Sequence, residues 1–137
     1  MAASAPFDTR PSPEPDFVSA PFFEAMGRGE LRVQKCERCG AFQLGELICN
    51  NCFESALAWV PASGRGTVHT YAVVHLPYHP AFEVPYAVVS VELEEGPRLL
   101  ANLLNCNLSQ VKIGMSVRMC PSRLATGVTV PAFEPSL

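Results

Sequence analysis

Lysine is almost missing: Lys35 and Lys112 are the only two in 137 residues. Aspartate is as scarce, with Asp8 and Asp16 both near the start of the chain. Charged residues make up 17%, against a usual level of about 25%, and the formal charge is −3. A nucleic-acid binder needs a basic face to neutralise phosphates, and this composition argues against that class. No apolar run approaches the roughly 18 residues of a membrane span. The N-terminus is proline-rich and acidic, not basic and then apolar, and so is unlike a secretory signal. No glycine-rich phosphate loop is present: Gly64-Arg65-Gly66 lacks a companion glycine, and no lysine follows it. A serine–histidine–aspartate relay is hard to assemble when both aspartates sit in an N-terminal arm. These absences point to a soluble, cytoplasmic chain with little catalytic hardware of its own.

Apolar residues, in contrast, reach 48%, enough for a real core. A small free-standing domain usually keeps itself soluble with a densely charged surface. A chain of this size cannot hide all its apolar residues, so much of its surface must be neutral or apolar. One reading is a greasy monomer, and the other is a subunit whose surface a partner covers.

The pattern along the chain predicts four parts. Residues 1–17 hold four of the thirteen prolines and both aspartates, and read as a flexible, irregular arm. Residues 18–30 read as a short helix with Ser19 as its cap, Phe22 and Met26 on one face, and Gly27 and Gly29 at its end. Residues 31–58 hold two close cysteine pairs. Residues 59–137 read as strands: 66–74, 86–94, 98–104, a stretch around Val117 and Met119, and Thr126–Phe133. Val89, Val91 and Leu93 alternate with Ser90, Glu92 and Glu94. A single helical turn is expected at Leu108–Ile113. Five short strands with a break between the third and fourth match a small Greek-key OB-type barrel, with an SH3-like barrel as the alternative. The expected fold is therefore mainly β: a short N-terminal helix, a rubredoxin-like zinc ribbon, then a five-stranded OB-fold barrel.

Cys36-Glu37-Arg38-Cys39 and Cys49-Asn50-Asn51-Cys52 carry the strongest signal. Two thiolates three residues apart on a tight turn can point at one ion about 2.3 Å away, and two such knuckles complete a tetrahedron. Zn²⁺ suits four soft sulfurs. Iron in a rubredoxin-like site and a disulfide pair are the alternatives, the latter in an oxidising compartment. Four thiolates leave no open position for water, so the expected zinc is structural. Gly40 suits the turn after the first pair, whereas Phe53 stands at the equivalent place after the second. Cys106 and Cys120 are isolated and read as small buried hydrophobes.

His75 and His79 lie in a proline-rich loop, HLPYHPAFEVPY, with Tyr78, Phe82 and Tyr86. Imidazoles and aromatics on a loop between strands suggest a contact or ligand-lining surface, to which Tyr71 and Arg98 are added; covering one end of the barrel is the alternative. His69 falls inside a strand.

The order of parts, "PFFEAMGRGEL", "CERCG…CNNC", "GRGTVHTYAVV", "VPYAVVSVELEEGPRLLANL", "IGMSVRM" and "PAFEP", resembles a family of zinc-ribbon plus OB-fold proteins associated with acyl-CoA. That family was long catalogued as a domain of unknown function. The resemblance covers about residues 20–135. It implies zinc ligation by Cys36, Cys39, Cys49 and Cys52. It also implies a partner of the thiolase superfamily, such as a lipid-transfer-type thiolase or an aldolase derived from one, that carries the catalytic residues. The small chain would dock beside the partner's active-site entrance and help hold the coenzyme A thioester. The implied reaction is retro-aldol or thiolytic C–C cleavage, as in degradation of steroid side chains and of fatty or aromatic acyl chains. A hotdog-fold enoyl-CoA hydratase is the alternative partner. The family often has prolines and an arginine before its second knuckle, where this chain has "QLGELICNNC". Arg65, Arg98, Arg118 and Arg123 are the candidates to meet nucleotide phosphates. Two competing functions are a single-strand nucleic-acid module, and a small enzyme with His75 or His79 as base.

Overall fold

The structure, a computed structural model, describes residues 9–136. Residues 1–8 of the expected arm, Asp8 among them, lie outside that range. Residues 9–16 have no regular secondary structure, and they are tied to the rest of the chain. Arg10 donates to Asn102 Oδ1 at 3.3 Å and Ser122 Oγ at 3.1 Å, and Thr126 Oγ1 lies 2.9 Å from Ser12 Oγ.

The helix α1 runs Ala20–Gly27. Ser19 occupies its N-cap position, but its side chain does not cap it. Asp16 does that work one turn earlier: its carboxylate accepts from the N–H groups of Val18 (3.1 Å) and Ser19 (2.8 Å), while Ser19 Oγ bonds back to Asp16. Ser19 is thereby already helical, at φ −91° and ψ −12°, so its hydroxyl no longer faces the free N–H groups. At the other end Glu30 N–H reaches Ala25 O and Gly29 N–H reaches Met26 O, both at 2.9 Å. Gly29 sits at φ +78°, the left-handed closure that glycine tolerates.

Strands β1 (Arg32–Cys36), β2 (Phe42–Gln43) and β3 (Leu57–Pro61) form a three-stranded antiparallel sheet in the order β2-β1-β3. A closed five-stranded barrel follows, with β4 (Arg65–Val74), β5 (Tyr86–Leu93), β6 (Arg98–Leu103), β7 (Ser116–Met119) and β10 (Ala132–Pro135). Between β7 and β10 lies a small ladder of β8 (Ser122–Arg123) and β9 (Thr129–Val130). The single strand expected over Thr126–Phe133 is thus two. Pro131, which cannot donate to a ladder, separates β9 from a β10 that pairs parallel to β6 and antiparallel to β7. The expected helical turn is a shorter 3₁₀ segment, Leu108–Gln110, capped by the Asn107 side chain.

The alternation read along β5 holds: Ala87, Val89, Val91 and Leu93 are buried. In β4 it slips. Gly66 faces Leu93 and Val68 faces Val91, but after a bulge at His69 the partners of Val89 and Ala87 are Tyr71 and Val73. The extra residue keeps β4's inner face aligned with β5. Phe22 and Met26 of α1, Leu31 and Val33 around β1, and the barrel interior with Phe133 form one apolar cluster. The ribbon sheet and the barrel therefore share a core.

Two predictions follow from this packing. Gly66 lies so close to β5 that a Cβ there would meet the Glu92 carbonyl and come within 2.7 Å of Val91 Cγ1. Gly66→Ala should lower the unfolding free energy by about 1–3 kcal/mol, as overpacked sites do, in a urea titration. Glu134 accepts from Asn105 Nδ2 at 2.7 Å and Arg118 Nε at 2.9 Å, and these bonds hold its carboxyl below the ordinary value of 4.5. A depressed folded pKa means the stabilisation is complete above the unfolded value and fades as pH falls below it. The gap in urea midpoint between wild type and Glu134→Gln should therefore be widest near neutrality and shrink steadily below about pH 4.5.

Candidate functional site

The two cysteine pairs fold as near copies of one turn. In the first, Gly40 N–H reaches Cys36 O at 2.9 Å, and in the second Phe53 N–H reaches Cys49 O at 3.0 Å. Cys36 N–H then bonds Ala41 O and Cys49 N–H bonds Glu54 O. Both closing residues are left-handed, Gly40 at φ +80° and Phe53 at φ +63°. A phenylalanine there is strained by roughly 1–2 kcal/mol, and its ring is 73% exposed.

The four Sγ atoms lie within 4.8 Å of one another. Two contacts cross between the knuckles, Cys36–Cys52 and Cys39–Cys49, each at 3.5 Å. A tetrahedral ion with ligands at about 2.3 Å requires sulfur–sulfur edges of roughly 3.8 Å, so the donor set fits one Zn²⁺. Backbone N–H groups aim at the sulfurs as well: Cys39 N at Cys36 Sγ, and Cys52 N and Asn51 N at Cys49 Sγ. The Cys52 N–H, opposed by burial and helped by the Asn51 N–H, pulls the Cys49 thiol below its ordinary range. That favours the thiolate a metal needs.

Sequence reasoning missed the supports of this centre. Gln34 and Gln43 are 4% and 5% exposed. Gln34 donates to Glu46 O at 2.8 Å and accepts from Glu46 N–H at 2.9 Å, standing in for a strand partner. Gln43 accepts from Asn50 N–H, inside the second knuckle, at 2.7 Å. No sequence signal marks them, since β1 reads Arg-Val-Gln-Lys-Cys and β2 only Phe-Gln.

A second feature lies at one end of the barrel. From Gly66 to Val91 the chain carries a single formal charge, Glu83. β7 pairs with β4 only over Arg65–Thr67, and Gly114 and Met115 hold Val68. Beyond Val68 that edge of β4 meets no strand among the described residues. Tyr71 shares a register position with the buried Val89, yet its ring is 39% exposed. At the hairpin tip Leu76 is 60% and Tyr78 75% exposed, and His75 is exposed. Under the tip, Phe82 stacks on Tyr86 with centroids 5.5 Å apart, and His79 meets Phe82 edge-on. His79 Nδ1 accepts from Ala81 N–H at 3.0 Å, which in the neutral ring leaves the proton on Nε2. Six of the expected contact residues, Tyr71, His75, Tyr78, His79, Phe82 and Tyr86, thus share one hairpin.

Arg98 does not join them. It stands opposite Glu92 across β5–β6 and ion-pairs with it at 3.9 Å, six residues along β5 from Tyr86, or about 20 Å. Arg65 pairs with Glu94 at 3.3 Å and Arg118 with Glu134 at 2.9 Å. These three arginines sit at the far end of the barrel, each beside a carboxylate. Arg123 is exposed on β8.

The sequence profile of the ChsH2 C-terminal OB-fold domain matches residues 59–120. A solved structure described as an Ltp2-ChsH2(DUF35) aldolase superposes with a TM-score of 0.85. It is 35% identical and covers 92% of this chain and all of the matched one. The chain belongs to the DUF35 family. A probable enoyl-CoA hydratase alpha subunit from Thermomonospora curvata is 36% identical over 93% of this chain. The benzoylsuccinyl-CoA thiolase subunit BbsA of Geobacter metallireducens is 28% identical over 65% of it. The chain spans 40% and 59% of the lengths of these two curated relatives. No helix among the described residues is long and apolar enough to cross a membrane.

The buried glutamines generate the prediction for the metal centre. Gln43→Ala frees the Asn50 N–H beside Cys49 and should weaken zinc binding about 10–100-fold, as loss of an outer-shell partner does. Competition with a chromogenic chelator reads this directly. Unchanged affinity would show that the knuckle holds its shape without Gln43.

Proposed function

We propose that this DUF35 chain is a non-catalytic accessory subunit of a thiolase-superfamily enzyme, an aldolase or thiolase that makes or breaks a C–C bond in an acyl-CoA. The observation that carries this reading is the hairpin of β4 and β5. It combines an almost uncharged strand pair, one open edge, and exposed Leu76 and Tyr78 at its tip. A solvated loop has no need of that composition, and natural proteins protect open edges with charge or proline unless something covers them. The relatives named as an aldolase complex and as a thiolase subunit supply the class of partner.

In this reading residues 31–58 are the ribbon and 59–137 the barrel. The thiolates of Cys36, Cys39, Cys49 and Cys52 hold one zinc ion whose contribution is structural. Tyr71, His75, Tyr78, His79, Phe82 and Tyr86 face the partner and the thioester arm. Pantetheine is thin and flexible and carries two amides. The free edge of β4, from His69 to Val74, offers backbone groups to such amides, and a roof of aromatic rings excludes water and orders the arm. His79 Nε2–H adds one fixed donor. The nucleophile and general base belong to the partner. Asp16, one of only two aspartates in the chain, is committed to the turn before α1.

The Thermomonospora relative favours a second reading, in which the partner is an enoyl-CoA hydratase. The docking hairpin is the same and the chemistry differs, so the substrate that a purified complex turns over decides between them. Steroid, aromatic and fatty acyl-CoA thioesters are the ones to offer.

Native mass spectrometry of the tagged chain, purified gently from its source cells, should show one zinc and one larger subunit. Acyl-CoA turnover should belong to the complex alone, and turnover by the pure chain would overturn the proposal. A Leu76→Asp/Tyr78→Asp variant should keep its thermal midpoint, because both side chains are exposed. It should also lose at least about tenfold in affinity for the co-purified subunit, the equivalent of 1.4 kcal/mol.

A further inference from the structure

The two knuckles do not expose their sulfurs equally. Cys36 and Cys49 are 0% exposed, whereas Cys39 is exposed and Cys52 half-buried. Each 3.5 Å contact joins one accessible sulfur to one inaccessible sulfur of the other knuckle, Cys39 to Cys49 and Cys52 to Cys36. The four atoms all lie within 4.8 Å. Every accessible thiolate therefore has a shielded thiolate in contact with it, the arrangement of an attacking cysteine and its resolving partner.

We propose that the metal centre is also a peroxide-responsive modification site. Oxidation enters at Cys39 and Cys52 and closes two disulfides between the knuckles, Cys39–Cys49 and Cys36–Cys52. The oxidant is hydrogen peroxide. The Cys39 thiolate attacks one peroxide oxygen; an S–O bond forms, the O–O bond breaks, and hydroxide leaves and is protonated to water. The Cys49 thiolate then attacks Cys39 Sγ; the S–S bond forms, the S–O bond breaks, and a second hydroxide leaves. Cys52 and Cys36 repeat the sequence with a second peroxide. Four thiolates, two peroxides and four protons give two disulfides and four waters, and the zinc ion is left without ligands.

The nested pairing preserves the ribbon. Cys36–Cys52 encloses Cys39–Cys49, so each bond fastens one knuckle to the other and takes over the metal's task of holding them together. Disulfides formed inside the Cys-x-x-Cys turns would leave the knuckles unjoined once zinc departs. Oxidation by the proposed route trades a metal clasp for a covalent one and leaves the shared core of Leu31, Val33 and Trp59 in place.

The inference rests on the zinc reading, and one experiment separates the two. The untreated full-length chain is weighed by native mass spectrometry for bound metal. It is then titrated with hydrogen peroxide beside a chromogenic chelator and mapped by non-reducing peptide mass spectrometry. A Cys106→Ser/Cys120→Ala variant is treated in parallel, so that neither remaining thiol contributes. The expected result is one zinc released per two peroxides consumed, a loss of about four hydrogen masses from the polypeptide, and cross-linked peptides joining 39 to 49 and 36 to 52. Thiol reductant plus zinc should restore the starting mass. Links of 36 to 39 and 49 to 52, sulfinic acid at Cys39, or retention of zinc while Cys106 oxidises in the wild type would each overturn the proposal. An untreated chain without zinc would overturn the metal reading instead, and the cross-knuckle links would still be scored on that chain.

Discussion

Four thiolates within 4.8 Å of one another cannot all stay charged unless a cation sits among them. At such separations each pair of like charges repels by several kcal/mol even at an intermediate dielectric. A metal ion held there would turn that repulsion into cohesion and fasten the segment between Leu31 and Trp59. β2 is two residues long and pairs only with β1, too little to hold the loop between the knuckles. Gln34 and Gln43 add fixed polar contacts to that loop, but they rely on the knuckles to keep its ends together. Because Leu31 and Val33 belong to the same apolar cluster as Phe133 and Met26, order in the ribbon extends through that core toward the barrel.

The barrel has a polarity along its strands that its topology explains. Arg65, Glu92, Arg98 and Arg118 all lie where β4 and β6 begin and β5 and β7 end, with Arg65 opposite Arg118 and Glu92 opposite Arg98. The Arg65 and Arg98 ion pairs are solvent-exposed and contribute more to solubility than to stability. The opposite end carries almost no charge. β4, β5 and β6 all run toward that end, with Ala87 of β5 paired to Leu103 of β6, whereas β7 leaves β4 at Thr67. The β4 edge beyond Val68 is thus left without a strand partner among the described residues, and this sequence fills it with histidine, threonine, tyrosine, alanine and valine. The bulge at His69 has a structural consequence here. It turns Tyr71, rather than Thr70, onto the face continuous with the core, so the apolar interior leads outward onto the hairpin.

The parts legible in the sequence were those in which one physical signal acted alone. Alternation along β5 could be read because Val89, Val91 and Leu93 face a core and their neighbours do not. The cysteine spacing could be read because metal geometry tolerates few alternatives. Where two signals compete, reading fails. Ser19 is an ordinary cap residue, but Asp16 starts the turn first. The stretch from Thr126 to Phe133 is rich in strand-forming residues, but Pro131 interrupts it and sends its halves to different sheets. Arg98 looks like a partner for an anion until the register sets it against Glu92. The supporting glutamines were illegible because a glutamine in a short strand has no distinctive pattern. Its role appears only when the loop it serves is folded beside it.

The low charge of the chain follows from the same division. A protein with one end devoted to ion pairs and the other to an aromatic hairpin needs few charges, and needs them in particular places. Lysine, whose long flexible stem costs entropy to fix, has little use at either end. Lys35 lies on the outer face of the ribbon, over the Phe42 ring, and Lys112 is exposed in the connection that follows the 3₁₀ turn. Arginine supplies the remaining cations, and at the charged end Arg65, Arg98 and Arg118 each stand beside a carboxylate. A free monomer with so bare a hairpin would be exposed to edge-to-edge association. The composition fits the proposal that a partner covers this hairpin.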